Sequence, residues 1–503
     1  MSPDRPAVRI GEDVVSYRQA HETALLWAGA LVAGGAGGPV VVLAGRDVVS
    51  YVGQLAVLYA GRTVVPLLPD FPVAVLRKMI ELAGARTVVA DAQGMDVLPA
   101  IMGEDVSLRV LDTGGAAGRF PAVIPVHPDS GLSAPARVAP SDESHIMFTS
   151  GSTGVPKGVR LSHGGFTRYF EVIDQRCDFG PADVFAQTFN LNFDSGVNNA
   201  FFAWGAGATV QVVPPTAYRD LPGFVAEHEV TVWYSTPSAI GLAREMDGLG
   251  PGALGGLRWS FFAGESLRCP DAADWQAAAP VSEVDNLYGS TELNDVFWYR
   301  WEGAETENRA VNGVVPIGRL HAGHDLRLTD EHGEPAGDEG ELWVAGPQMA
   351  VGYLDPADEE GRFVDFDGRR WYRTGDRVRV GSDGVLSFLG RVDSQVKVHG
   401  WRVELAEVDH AVRECEGVRD AAAVVSSSAY GTELVVFYTG AEMPESALAE
   451  GARGLLPDSI LPRRYVHVPS FPLNSNRKVD RKLLRKWAEQ LPGPSAASAD
   501  RAT

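Results

Sequence analysis

Cysteine is scarce. Cys177, Cys269 and Cys415 are the only three in 503 residues, far apart and without CxxC or Cys/His spacing, which excludes a disulfide scaffold and a cysteine-built zinc site. A reduced, cytoplasmic setting is expected. Long apolar runs are missing too. Val40 to Ala44 is far too short to span a bilayer, and Met1-Ser2-Pro3-Asp4-Arg5 lacks the charged-then-apolar pattern of an export leader, so neither membrane association nor export is expected. Positive charge is short as well. A net charge of −21 argues against a nucleic-acid partner. Lysine is the rarest of the charged types, supplying six of the 44 basic residues. A lysine that persists in so arginine-rich a chain is either a place where a compact ammonium is needed instead of a guanidinium fork or a chance survivor.

What is present is an ordinary globular composition, 45% hydrophobic and 22% charged, in a chain too long for one core. Valine-rich runs such as Val40 to Leu43 and Thr87 to Ala90 alternate with helix-like stretches such as Val73 to Ala83, the βα alternation of a buried parallel sheet. The pattern resumes with Thr209 to Val213, Val230 to Tyr234 and Leu257 to Phe262, predicting a second α/β unit. From about Gly313 to Gly390 short strands are broken by turn signals such as Phe366-Asp367-Gly368 and Ser382-Asp383-Gly384, predicting a β-rich, barrel-like piece. The fold class is therefore α/β, with a large N-terminal core over residues 1–391 built from two α/β subdomains and the β-rich one. A small α+β domain is expected over 392–490, and a disordered Pro/Ala/Ser-rich tail over 491–503.

The strongest local signal is Phe148-Thr149-Ser150-Gly151-Ser152-Thr153-Gly154-Val155-Pro156-Lys157-Gly158. Small, hydroxyl and glycine residues closed by a lysine can wrap a polyphosphate with backbone N–H groups, hydroxyls and one ammonium. It is not a Walker A loop: Pro156 stands where the glycine before the lysine is required, and Gly158 where Ser or Thr would ligate magnesium.

Taken with further segments in order, this loop resembles the adenylate-forming superfamily, specifically the adenylation domains of nonribosomal peptide synthetases, over nearly the whole chain. Leu58-Tyr59-Ala60-Gly61 through Val65-Pro66-Leu67-Leu68-Pro69 is similar to the family's early structural motif. Asn286-Leu287-Tyr288-Gly289-Ser290-Thr291-Glu292 resembles its adenine and magnesium motif, and Tyr372-Arg373-Thr374-Gly375-Asp376 its ribose motif. Gly390-Arg391-Val392-Asp393-Ser394-Gln395-Val396-Lys397 resembles the hinge, and Asn476-Arg477-Lys478-Val479-Asp480 the last, lysine-bearing motif.

The resemblance implies that ATP and Mg²⁺ are used, with nucleotide contacts from Thr149, Ser150, Gly151, Ser152, Thr153, Gly154, Lys157, Gly264, Glu265, Asn286, Tyr288, Gly289, Thr291, Asp376, Phe388, Arg391 and Lys478. Each role has a reason at its own residue. Tyr288 offers a flat face for adenine, Asn286 an amide for its edge, Asp376 a carboxylate for both ribose hydroxyls, and Glu292 a hard oxygen for magnesium. Lys478 would stabilise the charge that builds at the α-phosphate, and Thr149 and Glu292 complete the expected catalytic set. Three of them also have a plainer alternative: Tyr288 as a buried structural tyrosine, Asp376 as a turn-capping aspartate beside Gly375, and Lys478 as a solvated lysine near Lys482 and Lys486. In the family the C-terminal domain rotates between the two half-reactions. Asp393 matches that hinge, and Lys397, Gly400 and Trp401 would line the tunnel for the pantetheine arm.

Phe193-Asp194-Ser195-Gly196-Val197-Asn198 resembles the segment in which amino-acid-specific members set an aspartate against the substrate ammonium. Asp194 therefore favours an amino acid over a fatty or aryl acid, although a helix N-cap is its plain alternative. By motif alignment the pocket is lined by Asp194, Ser195, Asn198, Ser235, Phe261, Ala263, Leu287, Asp295, Val296 and Lys478. It reads as polar and of limited depth, suited to a hydroxylated, amide or cationic side chain. The chain departs from the family pattern at Ser290 (usually proline), Ala406 (usually glycine) and Arg477 (usually glycine). With no carrier domain following in the sequence, the expected activity is aminoacyl-AMP formation and transfer to the phosphopantetheine thiol of a separate carrier protein, by a monomer. The alternatives are an acyl- or aryl-CoA ligase of the same superfamily and a catalytically silent binding relative.

Overall fold

The computed structural model describes residues 2–491 apart from 36, 104–106, 150–155, 312, 331, 393–394, 399–400, 429–430 and 473–478; no side chain is described at 395, 397, 402, 404, 406–407, 410, 427–428, 431 and 482. The expected tail therefore lies almost wholly outside the described residues. The chain divides into two compact units, Met1–Thr149 with Pro156–Asp393, and a second that takes Ser394–Thr503.

Three sheets build the first unit. One is eight-stranded, in the order Gly352–Tyr353, Lys157–Ser162, Glu143–Thr149, Val64–Leu67, Val40–Leu43, Thr87–Ala90, Arg109–Leu111 and Val123–Ile124. Its central strands are parallel and buried at every position. That is why they read as unbroken valine-rich runs: both faces are covered, so no polar alternation survives.

The second sheet has nine strands, ordered Arg319–Leu320, Asn294–Arg300, Glu283–Ser290, Trp259–Phe262, Val232–Ser235, Val184–Gln187, Thr209–Val212, Pro6–Ile10 and Asp13–Ser16. Parallel pairing runs from Thr209–Val212 to Glu283–Ser290. Asn294–Arg300 then returns antiparallel. The chain reverses at residues 291–293, which places Thr291 and Glu292 in a tight connection at the strand end. The third sheet is the antiparallel one announced by the turn signals: Asp325–Thr329, Glu339–Ala345, Arg369–Val380 and Phe363–Phe366, with Leu386–Arg391 paired to Arg369–Val380.

The second unit is α+β. Gln395–Val398 pairs with Trp401–Glu404, and Val418–Ser428, Gly431–Gly440 and Arg464–His467 form a three-stranded sheet with helices Leu405–Arg413, Glu445–Ala452 and Arg481–Gln490. It has its own apolar cores, one around Val403, Val408, Val436 and Leu448 and one around Val424, Val435, Phe437 and Leu484. Among the described residues, no helix is long and apolar enough to cross a membrane.

Candidate functional site

Strands Glu143–Thr149 and Lys157–Ser162 pair antiparallel with Thr149 opposite Lys157. The described residues on either side of the glycine- and hydroxyl-rich motif are thus paired with each other; Ser150, Gly151, Ser152, Thr153 and Gly154 lie outside the described residues. The Lys157 ammonium pairs with Asp358 at 3.2 Å and sits 5.8 Å from the centre of the Tyr353 ring. The Tyr353 hydroxyl in turn donates to Oε1 of the fully buried Glu292 at 2.6 Å. The motif lysine and the candidate magnesium carboxylate therefore meet at one segment, Gly352–Tyr353 and the turn after it. Sequence reasoning singled out neither Tyr353 nor Asp358. Both reach the site through sheet pairing across long separations, which no local pattern records.

Among the described residues, no group of three or more His, Cys, Asp or Glu side chains could hold a metal ion. Glu292 alone fits Mg²⁺, which is commonly bound by one or two carboxylates together with substrate phosphates.

The nucleotide candidates converge at the junction of two sheets. Tyr288, on Glu283–Ser290, donates its hydroxyl to Oδ2 of Asp376, on Arg369–Val380. Arg391, directly opposite Asp376 in the strand pairing, donates to Asp376 Oδ1 at 2.9 Å and to the Thr374 carbonyl at 3.1 Å. Asp376 is thus a strand residue and not a turn cap. Burial first, then the neighbouring Asp376 charge, pushes the Tyr288 phenol well above its usual range, so it stays a donor. Phe388 and Tyr288 pack on the same apolar cluster.

The Asn286 amide N–H₂ donates to the carbonyls of Val315 and Pro316, at 3.4 and 2.9 Å. What it offers a ligand is its acceptor oxygen, which suits an exocyclic amine. Gly264 has φ +90°, and Glu265 accepts from the Ser238 N–H at 3.0 Å at the start of helix Ser238–Glu245. Gly289 lies at a bulge, where a Cβ would meet the Asn294 carbonyl oxygen at 1.7 Å. Because the obstacle is backbone, Gly289→Ala should destabilise the first unit by about 3 kcal/mol. A urea-unfolding midpoint equal to the parent's would contradict this.

The amino-acid candidates gather on the nine-stranded sheet and the helix Asp194–Ala206. Asp194 opens that helix, with Phe193 at the N-cap position, and its Oδ1 accepts from the Ser195 N–H at 2.9 Å. Asn198, four residues on, occupies the same helix face. Its amide donates to Asn294 Oδ1 at 3.2 Å, while its own buried Oδ1 has no hydrogen-bond partner among the described residues. Phe261, Ala263 and Leu287 share one apolar cluster with Tyr169 and Tyr234. Ser235 Oγ accepts from Trp233 Nε1 at 2.9 Å and donates to the Thr236 carbonyl at 3.0 Å. Asp295 Oδ2 accepts from the hydroxyls of Tyr169 and Tyr234, two residues that motif alignment did not supply. Val296, the next residue on an alternating strand, packs in a different cluster with Leu293, Phe297 and Ile317.

In the second unit, the Lys397 backbone lies in Gln395–Val398 opposite Arg402, and Trp401 opens the next strand, partly buried against that unit's core. Asp393, Gly400 and Lys478 lie outside the described residues.

The adenine and ribose candidates thus meet where the nine-stranded and the third sheets adjoin, and the magnesium candidate where the nine-stranded sheet meets Tyr353 of the eight-stranded one, an arrangement suited to a nucleotide. The chain matches the AMP-binding enzyme family over residues 1–354 and belongs to it. It is similar to L-proline--[L-prolyl-carrier protein] ligase of Streptomyces coelicolor, at 33% identity over 470 residues, which cover 88% of this chain and 86% of that one. The crystal structure of IdnL7 is 51% identical, with a TM-score of 0.75 and coverage of 97% and 96%. A Vibrio cholerae adenylation domain, AlmE, solved with glycyl-adenosine-5'-phosphate, is 28% identical with a TM-score of 0.85 and coverage of 97% and 95%. Other relatives are far longer: the chain spans 7% of the length of one that is 30% identical to it over 501 residues.

Proposed function

We propose that this chain is an AMP-forming amino acid:carrier-protein ligase. It joins an amino-acid carboxylate to AMP with release of pyrophosphate, then passes the aminoacyl group to the phosphopantetheine thiol of a separate carrier protein. The observation that carries the amino-acid half is the pairing of Asp194 with Asn198 on one helix face: a carboxylate and a buried amide oxygen, both acceptors, suit an ammonium. The relative that ligates proline to a carrier protein supports the second half.

In this reading Asp376 receives the ribose hydroxyls, Tyr288 and Phe388 flank the adenine, and Asn286 reads its edge. The Thr149 to Lys157 segment receives the phosphates. Mg²⁺, held by Glu292 and the phosphates, would neutralise charge on the triphosphate. Tyr353 orients the Glu292 carboxylate. The enzyme works as a monomer in the cytoplasm, with its C-terminal domain moving about Asp393. The test is labelled-pyrophosphate exchange over a panel of α- and β-amino acids and aryl and fatty acids, followed by mass measurement of a loaded carrier. Exchange with aryl or fatty acids alone would overturn the assignment.

The hinge has its own check. Asp393→Pro fixes φ and removes a backbone donor where rotation needs both soft dihedrals. Thioester formation should slow at least tenfold more than pyrophosphate exchange; equal slowing of both steps would remove Asp393 from the role.

A further inference from the structure

The polar groups near Asp194 divide into two sets with different prospects, a point that rests on the amino-acid reading above. Asn198 keeps a buried acceptor without a partner among the described residues, one helical turn from Asp194. Asp295 is the opposite case. It is 7% exposed, and its Oδ2 receives the Tyr169 hydroxyl at 2.9 Å and the Tyr234 hydroxyl at 2.6 Å.

Both rings are locked in place. Tyr169 packs edge-on against Phe202, with centroids 5.3 Å apart, and stacks with His321 at 6.0 Å. Tyr234 packs edge-on against Phe189 at 5.1 Å and Phe261 at 6.0 Å. Burial, and after it the Asp295 charge, pushes both phenols well above their usual range, so both remain donors at physiological pH. Two charge-assisted hydrogen bonds from rigid, dry donors satisfy a carboxylate without help from a ligand.

We propose that Tyr169 and Tyr234 are positioning residues that set substrate selectivity: by holding Asp295 they turn a carboxylate that would read a side-chain donor into a satisfied wall. The side-chain end of the site then presents a carboxylate whose Oδ2 is held by two tyrosine hydroxyls, together with Phe261, Ala263 and Leu287. The substrate class that fits is an amino acid with a small, uncharged side chain, its ammonium taken by Asp194 and Asn198. A cationic side chain would have to displace a tyrosine from Asp295, and a large one would meet Phe261.

The test measures kcat/KM for pyrophosphate exchange with glycine, alanine, serine, asparagine, ornithine and lysine. The parent should favour the small neutral set over ornithine and lysine by at least a hundredfold. Tyr169→Phe and Tyr234→Phe each keep the ring and delete one hydroxyl, so each should narrow that ratio about tenfold, mainly through KM, while Tyr169→Trp should not restore it. A parent that prefers ornithine or lysine overturns the proposal without any variant. So do Tyr→Phe variants that keep the parent's substrate ratios within twofold, because a merely structural role would lower all substrates together. If no amino acid supports exchange by the parent, it is the functional assignment that fails.

Discussion

Lys478→Ala should lower adenylation by a factor on the order of a hundred or more, about 2.7 kcal/mol of transition-state stabilisation, with the fold intact. Carboxylate attack on the α-phosphate gathers negative charge that a positioned ammonium offsets. The chain uses only six lysines among its 44 basic residues, which marks the few that remain. Lys478 itself lies outside the described residues, but the residues that follow it are anchored to the second unit. Val479 packs against the core around Ala422, Val424 and Phe437. Asp480 donates its N–H to the Pro472 carbonyl at 2.8 Å and accepts from Leu483 N–H at 3.0 Å, and Arg481 pairs with the buried Asp409. Removing one side chain just before this anchor should leave the melting temperature unchanged. Lys478→Arg should recover only part of the rate, since a planar fork does not reproduce a point charge. Pyrophosphate exchange at the parent rate in Lys478→Ala would show that the motif lysine is an ordinary solvated one.

How much of this was legible beforehand follows from the range of the signals. Strands such as Val40–Leu43 and Thr87–Ala90 are local and two-sidedly buried, so composition alone reveals them. The antiparallel third sheet was visible through turns at Asp367-Gly368 and Asp383-Gly384, where Asp367, Gly368 and Gly384 take positive φ. Ordered motifs pointed to Tyr288, Glu292 and Asp376 because each sits in a contiguous run. The partners of those residues were not legible. Tyr353 meets Glu292 across 61 positions, and Tyr169 meets Asp295 across 126. A tyrosine in such a role looks like any other core aromatic until the sheets are assembled. For Asp295, likewise, alignment supplied the carboxylate but not the two hydroxyls that donate to it. Asp194 was a different case, since both of its readings find support. It makes a helix-start hydrogen bond and also shares a face with an amide oxygen that has no hydrogen-bond partner among the described residues.

Those two readings of Asp194 separate by magnitude, and Asp194→Ala should abolish exchange with every amino acid. As a helix-start residue Asp194 contributes about 0.3–1 kcal/mol to stability, through its bond to Ser195 N–H and its charge near the positive end of the helix. As the partner of a buried ammonium its loss strands a charge at a cost of about 3–5 kcal/mol, a fall in kcat/KM of about 160-fold or more. Asp194→Asn decides between them: the amide oxygen can still accept from Ser195 N–H, so stability should return toward the parent's, while the missing charge keeps exchange abolished. Asn198→Ala should behave differently again. It removes a neutral acceptor and leaves the carboxylate, so a loss of about tenfold is expected, in line with one hydrogen bond to a charged group. The measurements are kcat/KM over the amino-acid panel and urea-unfolding midpoints for all three variants. Parent-like exchange in Asp194→Asn would make Asp194 a helix-terminal residue only, and the ammonium would then need another acceptor, with Asn198 Oδ1 the nearest candidate on that face.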